Sequence, residues 1–187
     1  SKQLLTSGFQ QNRLASQQIR LRRNWNRQTS SNLELKRDLK SANSDVLNSQ
    51  NFEVLTWAIQ PEMVFQPKRS MRFSASYTLK DKQNVALGAS ETAQIQELAL
   101  QVRLAKQIKS VLIASIRFIS IDYVGNPNSP VGYEMLEALN TGQNWRWELN
   151  WSQRLANGLQ IRFSYNGRKP PSLPAVHVGS VQATALF

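Results

Sequence analysis

The chain has 187 residues, 41% of them hydrophobic, which is enough for one domain with a sizeable core. No window approaches the run of about 18 apolar residues that a membrane-spanning helix requires, so a helical membrane protein is excluded. The 23 Lys and Arg residues outnumber the 12 Asp and Glu residues, and the formal net charge of +11 indicates either a solvated basic surface or a partner such as nucleic acid, anionic lipid or an anionic solute. The absence of cysteine excludes disulfides and thiolate metal sites.

The N-terminal part of the chain is only weakly patterned. Residues 1–15 are left unassigned as a lead-in. Residues 16–27 and 32–40 predict two strands of a hairpin that turns around residues 28–31, although Arg23 and Arg37 interrupt the apolar sides of these strands.

Six later segments alternate apolar and polar residues with a period of two, which is typical of strands with two different faces. Their bounds are 55–65, 71–79, 98–104, 145–151, 159–165 and 181–187. None of their apolar positions is charged. Contact with lipid would require this, because an Arg or Lys costs roughly 2–4 kcal/mol at mid-bilayer depth.

Residues 110–124 predict a further strand in which the apolar side changes partway along. Residues 112–118 place apolar side chains on one face, whereas Ile119, Ile121 and Tyr123 fall on the other. One β-bulge near Phe118 would bring both sets to the same face.

The connections alternate between short and long. Short turns are predicted near 28–31, 67–70, 106–109 and 155–158, and longer loops near 41–51, 81–93, 125–143 and 167–176. Within the third long loop, residues 133–140 form either a short helix closed by Gly142 or an irregular loop. Outer-membrane barrels have short periplasmic turns and long extracellular loops, so this alternation favours an up-and-down barrel.

These observations predict an all-β fold, an antiparallel up-and-down transmembrane β-barrel over residues 16–187. We expect about nine strands, and further strands upstream of Ser1, because bacterial single-chain barrels normally have an even number.

The stretch YEMLEALNTGQNWRWELNWSQRLANGLQIRFSYNGRK, followed by VHVGSVQATALF, resembles the C-terminal ends of outer-membrane barrel proteins of Bacteroidota. The large translocon barrel of type 9 secretion is a narrower affiliation within this resemblance. The last strand resembles a barrel-assembly signal formed by Gly179, Val181, Ala183, Ala185 and Phe187. The resemblance implies a place in the bacterial outer membrane, and it implies as partners the barrel-assembly machinery, outer-membrane lipid, and upstream strands or other outer-membrane subunits.

Two groups of residues are candidates for function in such a barrel. Charged residues on the polar side of the strands would face the lumen: Arg72, Arg103, Arg146, Glu148 and Arg162. Aromatic residues would form girdles at the membrane interfaces: Trp57, Tyr77, Tyr123, Trp145, Trp151, Tyr165 and Phe187. The lumen-facing set is either a solvated or internally salt-bridged wall, or an anion-attracting pore or a seat for an acidic plug or partner.

Two other classes of protein compete with the barrel. A soluble basic β-protein that binds nucleic acid or another polyanion would explain the charge, but Arg146 and Arg162 point away from the aromatic residues of their strands, so nucleic acid is not an expected partner. A barrel enzyme would need a catalytic group, and only His177 with nearby Ser180 suggests one, without an identifiable third member. We therefore predict no catalytic residues, no cofactor and no metal site.

Overall fold

The computed structural model describes residues 2–5, 8–44, 51–106, 109–155 and 158–185. They form ten strands and one short helix. In chain order the elements are β1 (Lys2–Leu5), β2 (Gly8–Asn24), β3 (Thr29–Ser44), β4 (Phe52–Lys68), β5 (Met71–Asn84), β6 (Thr92–Lys106), β7 (Ser110–Val124), α1 (Pro130–Met135), β8 (Gly142–Arg154), β9 (Leu159–Lys169) and β10 (Val176–Ala185).

All ten strands form one antiparallel sheet in which spatial order equals chain order. Each strand pairs with the next, and within the described ranges β1 and β10 are the two edges of the sheet. The predicted all-β, antiparallel, up-and-down fold is confirmed. The strand count exceeds the expected nine because β1 and the start of β2 lie in residues 1–15, which the sequence left unassigned.

The register places the predicted apolar sets on one side of the sheet. Residues directly opposite each other in an antiparallel ladder project to the same face. Phe73 pairs with Phe65 and Val102, and Trp151 pairs with Leu112 and Phe163. We call this side the apolar face and the opposite side the polar face.

Large side chains on the apolar face are open to the surroundings. Leu100 is 45% exposed, Trp57 56% and Val181 71%. An exposed apolar surface this extensive is uncommon on a monomeric soluble protein.

The connections keep the predicted order, with longer strands and shorter loops than expected. The first turn spans residues 25–28 instead of 28–31, and the turn between β4 and β5 spans residues 69–70. Loop 81–93 shrinks to residues 85–91, and loop 167–176 to residues 170–175. Parts of loop 41–51 and of turns 106–109 and 155–158 lie outside the described residues. We call the end of the strands that the long loops connect the long-loop end, and the opposite end, which the short turns connect, the short-turn end.

The predicted bulge near Phe118 is wrong. Strand β7 pairs with β6 and β8 in continuous register through Phe118. Three apolar side chains therefore stay on the polar face, where the connection between β7 and β8 packs on them: Ile119, Ile121 and Tyr123. The register shift that does occur lies between β4 and β5, at Phe65 and Lys68.

The two arginines that interrupt the first hairpin lie on the apolar face beside tryptophans. The Arg23 guanidinium is 4.1 Å from the centroid of the Trp25 ring, and that of Arg37 is 5.2 Å from the centroid of Trp57. A cation over an aromatic ring is stabilised by the quadrupole of the ring, so these charges are compatible with an otherwise apolar surface. In the part of the chain that is described, no helix is long and apolar enough to cross a membrane.

Candidate functional site on the polar face

The connection between β7 and β8 folds onto the polar face. Its helix α1 begins at Pro130, and the Ser129 hydroxyl caps it by accepting a hydrogen bond from the backbone N–H of Gly132 at 2.9 Å. The Asn126 carbonyl approaches Gly132 so closely that a Cβ atom there would overlap it. The predicted helix at 133–140 is therefore placed too late, since α1 ends at Met135 and Gly142 begins β8. We call residues 130–137 the inward segment.

Apolar contacts hold the inward segment against the sheet. Met135 is fully buried with Val54 and Ala93, and Leu136 is 4% exposed among Ile119 and Ile121. These isoleucines lie on the polar face only because β7 runs without a bulge. The change of apolar side along β7 thus marks the place where the inward segment packs.

Ion pairs join the inward segment to a lysine cluster on the same face. Lys40 Nζ lies 2.6 Å from a Glu134 carboxylate oxygen. Glu137 accepts from Lys80 at 2.8 Å and lies 2.9 Å from Lys82 Nζ, whose side chain is only 6% exposed. The segment therefore brings two carboxylates to a wall of three lysines.

Glu137 occupies an unusual position. Its φ of 53° is in the left-handed region, which residues other than glycine rarely adopt. Burial raises the pKa of Glu137, but the hydrogen bond from Lys80 and the charges of Lys82 and Lys80 outweigh this effect and hold the pKa below its ordinary value of 4.5. The carboxylate is thus charged and paired under ordinary conditions.

All five residues predicted to face a lumen lie on the polar face. Arg72 is directly opposite Arg103 across β5 and β6. Arg146 of β8 is directly opposite two further arginines, Arg117 in β7 and Arg168 in β9. Arg117 and Arg168 were not predicted from the sequence, although both occupy polar positions of their strands, because only the register shows that they align with Arg146.

Charges are paired very differently in the two halves of the polar face. On the β2–β5 side, ion pairs join Arg20 to Glu34 at 2.8 Å and Lys36 to Asp38 at 2.7 Å, in addition to the pairs with the inward segment. On the β5–β9 side, Arg117 has one contact, 3.8 Å from Glu97. Among the described residues, six arginine side chains on this side have no ion pair or hydrogen-bond partner: Arg72, Arg103, Arg146, Arg154, Arg162 and Arg168.

Most of the predicted interface aromatics share the apolar face. These are Trp57, Tyr77, Trp145, Trp151 and Tyr165, and the Tyr77 hydroxyl donates to Gln96 at 3.1 Å. Tyr123 does not belong with them. It lies on the polar face opposite Ala93 and packs against the apolar clusters under the inward segment, because the bulge expected to turn it outward is absent from β7. Phe187 lies outside the described residues.

The proposed assembly signal forms the edge strand β10. Gly179, Val181, Ala183 and Ala185 pair with alternate residues of β9 and share the apolar face. All four are exposed, and a Cβ atom at Gly179 would meet nothing within 4 Å.

His177 and Ser180 lie on opposite faces of β10. The His177 ring pairs with the Tyr165 hydroxyl at 2.7 Å on the apolar face, whereas the Ser180 hydroxyl is 2.7 Å from that of Ser164 on the polar face. A nucleophile–base pair between them is therefore sterically impossible in this fold. Within the described ranges, no group of three or more His, Cys, Asp or Glu side chains could hold a metal ion.

Neither a protein-family model nor a curated protein matches this chain.

Proposed function

We propose that this chain forms part of the wall of a bacterial outer-membrane β-barrel, with the apolar face against lipid and the net-basic polar face lining a water-filled lumen. Its role would be that of a pore, translocon wall or membrane scaffold. On the apolar face, the apolar run of each strand lies beside that of the next, and together these runs form a stripe across the sheet, which we call the apolar band. The observation that carries the proposal is the inclination of this band relative to the strands.

The band can be followed along rows of direct cross-strand partners. One row starts in the middle of the apolar run of β3 and ends in polar residues: Leu35, Ile59, Leu79, Gln96 and Ser120. Another starts at a lysine and then stays apolar through β10: Lys68, Met71, Leu104, Leu112, Trp151, Phe163 and Val181. Rows thus leave the band toward the long-loop end and enter it from the short-turn end.

This drift gives a strand tilt. The row through Leu35, in the middle of the run of β3, reaches Ser120 of β7, whereas the row through Gln182, in the middle of the described part of the run of β10, reaches Val111 of β7. The centre of the run therefore shifts by nine residues, or about 30 Å, across seven strand spacings of about 4.8 Å. The ratio corresponds to strands inclined by about 40° to the band, which is close to the tilt of strands that cross a bilayer. An open soluble sheet has no need for an apolar band that crosses its strands obliquely.

The lengths of the strands support the same proposal. Strands β2–β10 contain between 10 and 17 residues, whereas a tilted strand needs about 9–11 residues to cross the hydrocarbon core. The excess would extend beyond the membrane on the long-loop side, where the inward segment lies.

Two neighbouring residues of β6 allow a sharp test. Leu100 is 45% exposed on the apolar face near the centre of its run, and Gln101 is exposed on the polar face. In a bilayer, Leu100→Arg should cost roughly 2–4 kcal/mol and sharply reduce the folded protein recovered from outer membranes. Gln101→Arg, the matched control, should leave recovery unchanged, because its side chain remains in water.

The soluble alternative predicts the opposite result. In water, a charge at an exposed leucine changes stability by no more than about 0.5 kcal/mol and improves solubility. Folded, monodisperse Leu100→Arg protein in the soluble fraction, without detergent, would refute the membrane proposal.

A further inference from the structure

Three arginines form a continuous line across adjacent strands of the polar face. Arg117, Arg146 and Arg168 are direct cross-strand partners in β7, β8 and β9. Direct partners are about 5 Å apart at Cβ, so the three side chains start within about 10 Å of one another. We call these residues the arginine row.

Such a line is unfavourable in the free protein. Like charges directly opposite each other destabilise a sheet, and the pairing with Glu97 at 3.8 Å reaches only one end of the row. The contrast with the lysine cluster is informative, because there the chain provides its own carboxylates, Glu134 and Glu137. Glu148 borders the same part of the face, but its carboxylate accepts a hydrogen bond from Asn150 and makes no ion pair with a described residue, so neither Arg146 nor Arg168 is paired with a carboxylate.

The row lines an open recess. A depression of about 420 Å³ is bordered by the three arginines, by Glu148 of β8, by Asn166 of β9 and by Val178 of β10. Arg146 and Arg168 also border a second depression, of about 200 Å³, beneath Leu139, just beyond the inward segment. The first volume is within the usual range for small-ligand sites.

We propose that the arginine row binds a small polyvalent oxyanion, one that carries two or more closely spaced phosphate or carboxylate groups. The guanidinium fork binds such groups through paired charge-assisted hydrogen bonds, and three forks within about 10 Å match neighbouring oxyanions better than a single charge. The proposal deepens the proposed function, since a water-filled lumen would give solutes access to the row.

Inorganic pyrophosphate is a suitable probe, titrated by calorimetry into the protein in detergent micelles at an ionic strength of about 0.1 M, where the Debye length is about 10 Å. We expect pyrophosphate to bind, and Arg146→Gln to weaken binding by about tenfold or more, because charge-assisted hydrogen bonds to the anion are lost. Arg154→Gln is the matched control. It removes the same charge from the same face of β8, about 26 Å along the strand, which is beyond the Debye length. We expect it to change the affinity less than about threefold.

A second measurement on the same variants needs no ligand. Without pyrophosphate, Arg146→Gln should melt at a higher temperature than the unmodified protein, because it relieves repulsion in the row. Equal loss of affinity in both variants would indicate a diffuse basic surface and overturn the proposal, as would the absence of binding to folded protein. Failure of the membrane proposal would appear separately, as pyrophosphate binding by a protein that stays monodisperse without detergent.

Discussion

Single residues on the apolar face show how the strands accommodate large aromatic rings. Gly167 of β9 lies directly opposite Trp147 and His177, and the Trp147 ring covers the glycine backbone. The Trp147 and His177 rings are 5.4 Å apart, and the Tyr165 ring stacks on His177 at 5.9 Å. Glycine in a strand often marks such a close approach, in which a neighbouring aromatic side chain replaces the missing packing.

Gly167→Ala should therefore destabilise the protein. The new methyl group would overlap the Trp147 indole and force it out of its position, at a cost of about 1–3 kcal/mol. Thermal unfolding in detergent would show this as a lower melting temperature.

Gly179→Ala is the matched control, because it adds the same methyl group to the same face where nothing lies within 4 Å. It should be neutral or slightly stabilising, since alanine restricts the unfolded chain. Equal melting temperatures for the two variants would mean that the Trp147 ring does not pack on Gly167.

The side of the sheet on which a residue lies was largely predictable from alternation alone. Arg72, Arg103 and Arg162 were assigned to the polar face because their neighbours in the strand are apolar, and the structure agrees. Tyr123 was assigned wrongly, because a change of apolar side within one strand can arise from a bulge or from a contact partner on the other face. Alternation within one strand cannot separate these two causes.

At the level of elements, the inward segment shows what local signals can and cannot predict. Ser129 and Pro130 are an ordinary helix start, and they place α1 earlier than the predicted 133–140. Positive φ values at Glu137 and Ala138 end the helical path. No local signal revealed that the segment folds onto the polar face of the sheet, because its contacts there are with Lys40 and Lys80, which belong to strands distant in the chain.

The attachment of this segment should depend on pH. Because the pKa of Glu137 is lowered in the folded state, its ion pairs contribute stability that is fully present above the ordinary value of 4.5 and lost as the pH falls through the lowered pKa. A spin label on Tyr133→Cys, an exposed position of α1, should become more mobile as the pH falls below that value.

Two glutamate variants test the cause. In Glu137→Gln, the spin label should already be mobile at neutral pH, and most of its change in mobility with pH should be lost. Glu148 lies on the same face but has no ion pair to a described residue, so Glu148→Gln should retain the change in mobility with pH. An unchanged transition in Glu137→Gln would show that another group controls the attachment.

On the scale of the whole molecule, strand order followed from the sequence because each strand pairs with its chain neighbour. The predicted alternation of short and long connections needed no knowledge of register. Two other features could not be predicted without the register: the inclination of the apolar band, and the alignment of Arg117, Arg146 and Arg168. A shift of two residues between two neighbouring strands would leave every side chain on its face, but it would change the inclination and separate the arginines.

The salt bridge between Lys40 and Glu134 has a consequence for the order of folding. Its residues are 94 positions apart in the chain, whereas the sheet is a succession of hairpins between neighbouring strands. Closing a long loop is entropically costly until the intervening hairpins shorten it, so the inward segment should dock after the sheet has formed.

This order can be tested by refolding the protein into detergent. Circular dichroism would follow formation of the sheet, and a spin label on Tyr133→Cys would follow docking of the inward segment, so the label signal should appear after the sheet signal. Glu137→Gln should weaken docking without slowing sheet formation, and a label signal that precedes the sheet signal would reverse the order. Attachment of the inward segment would then report that strands β3 to β7 have been assembled in register.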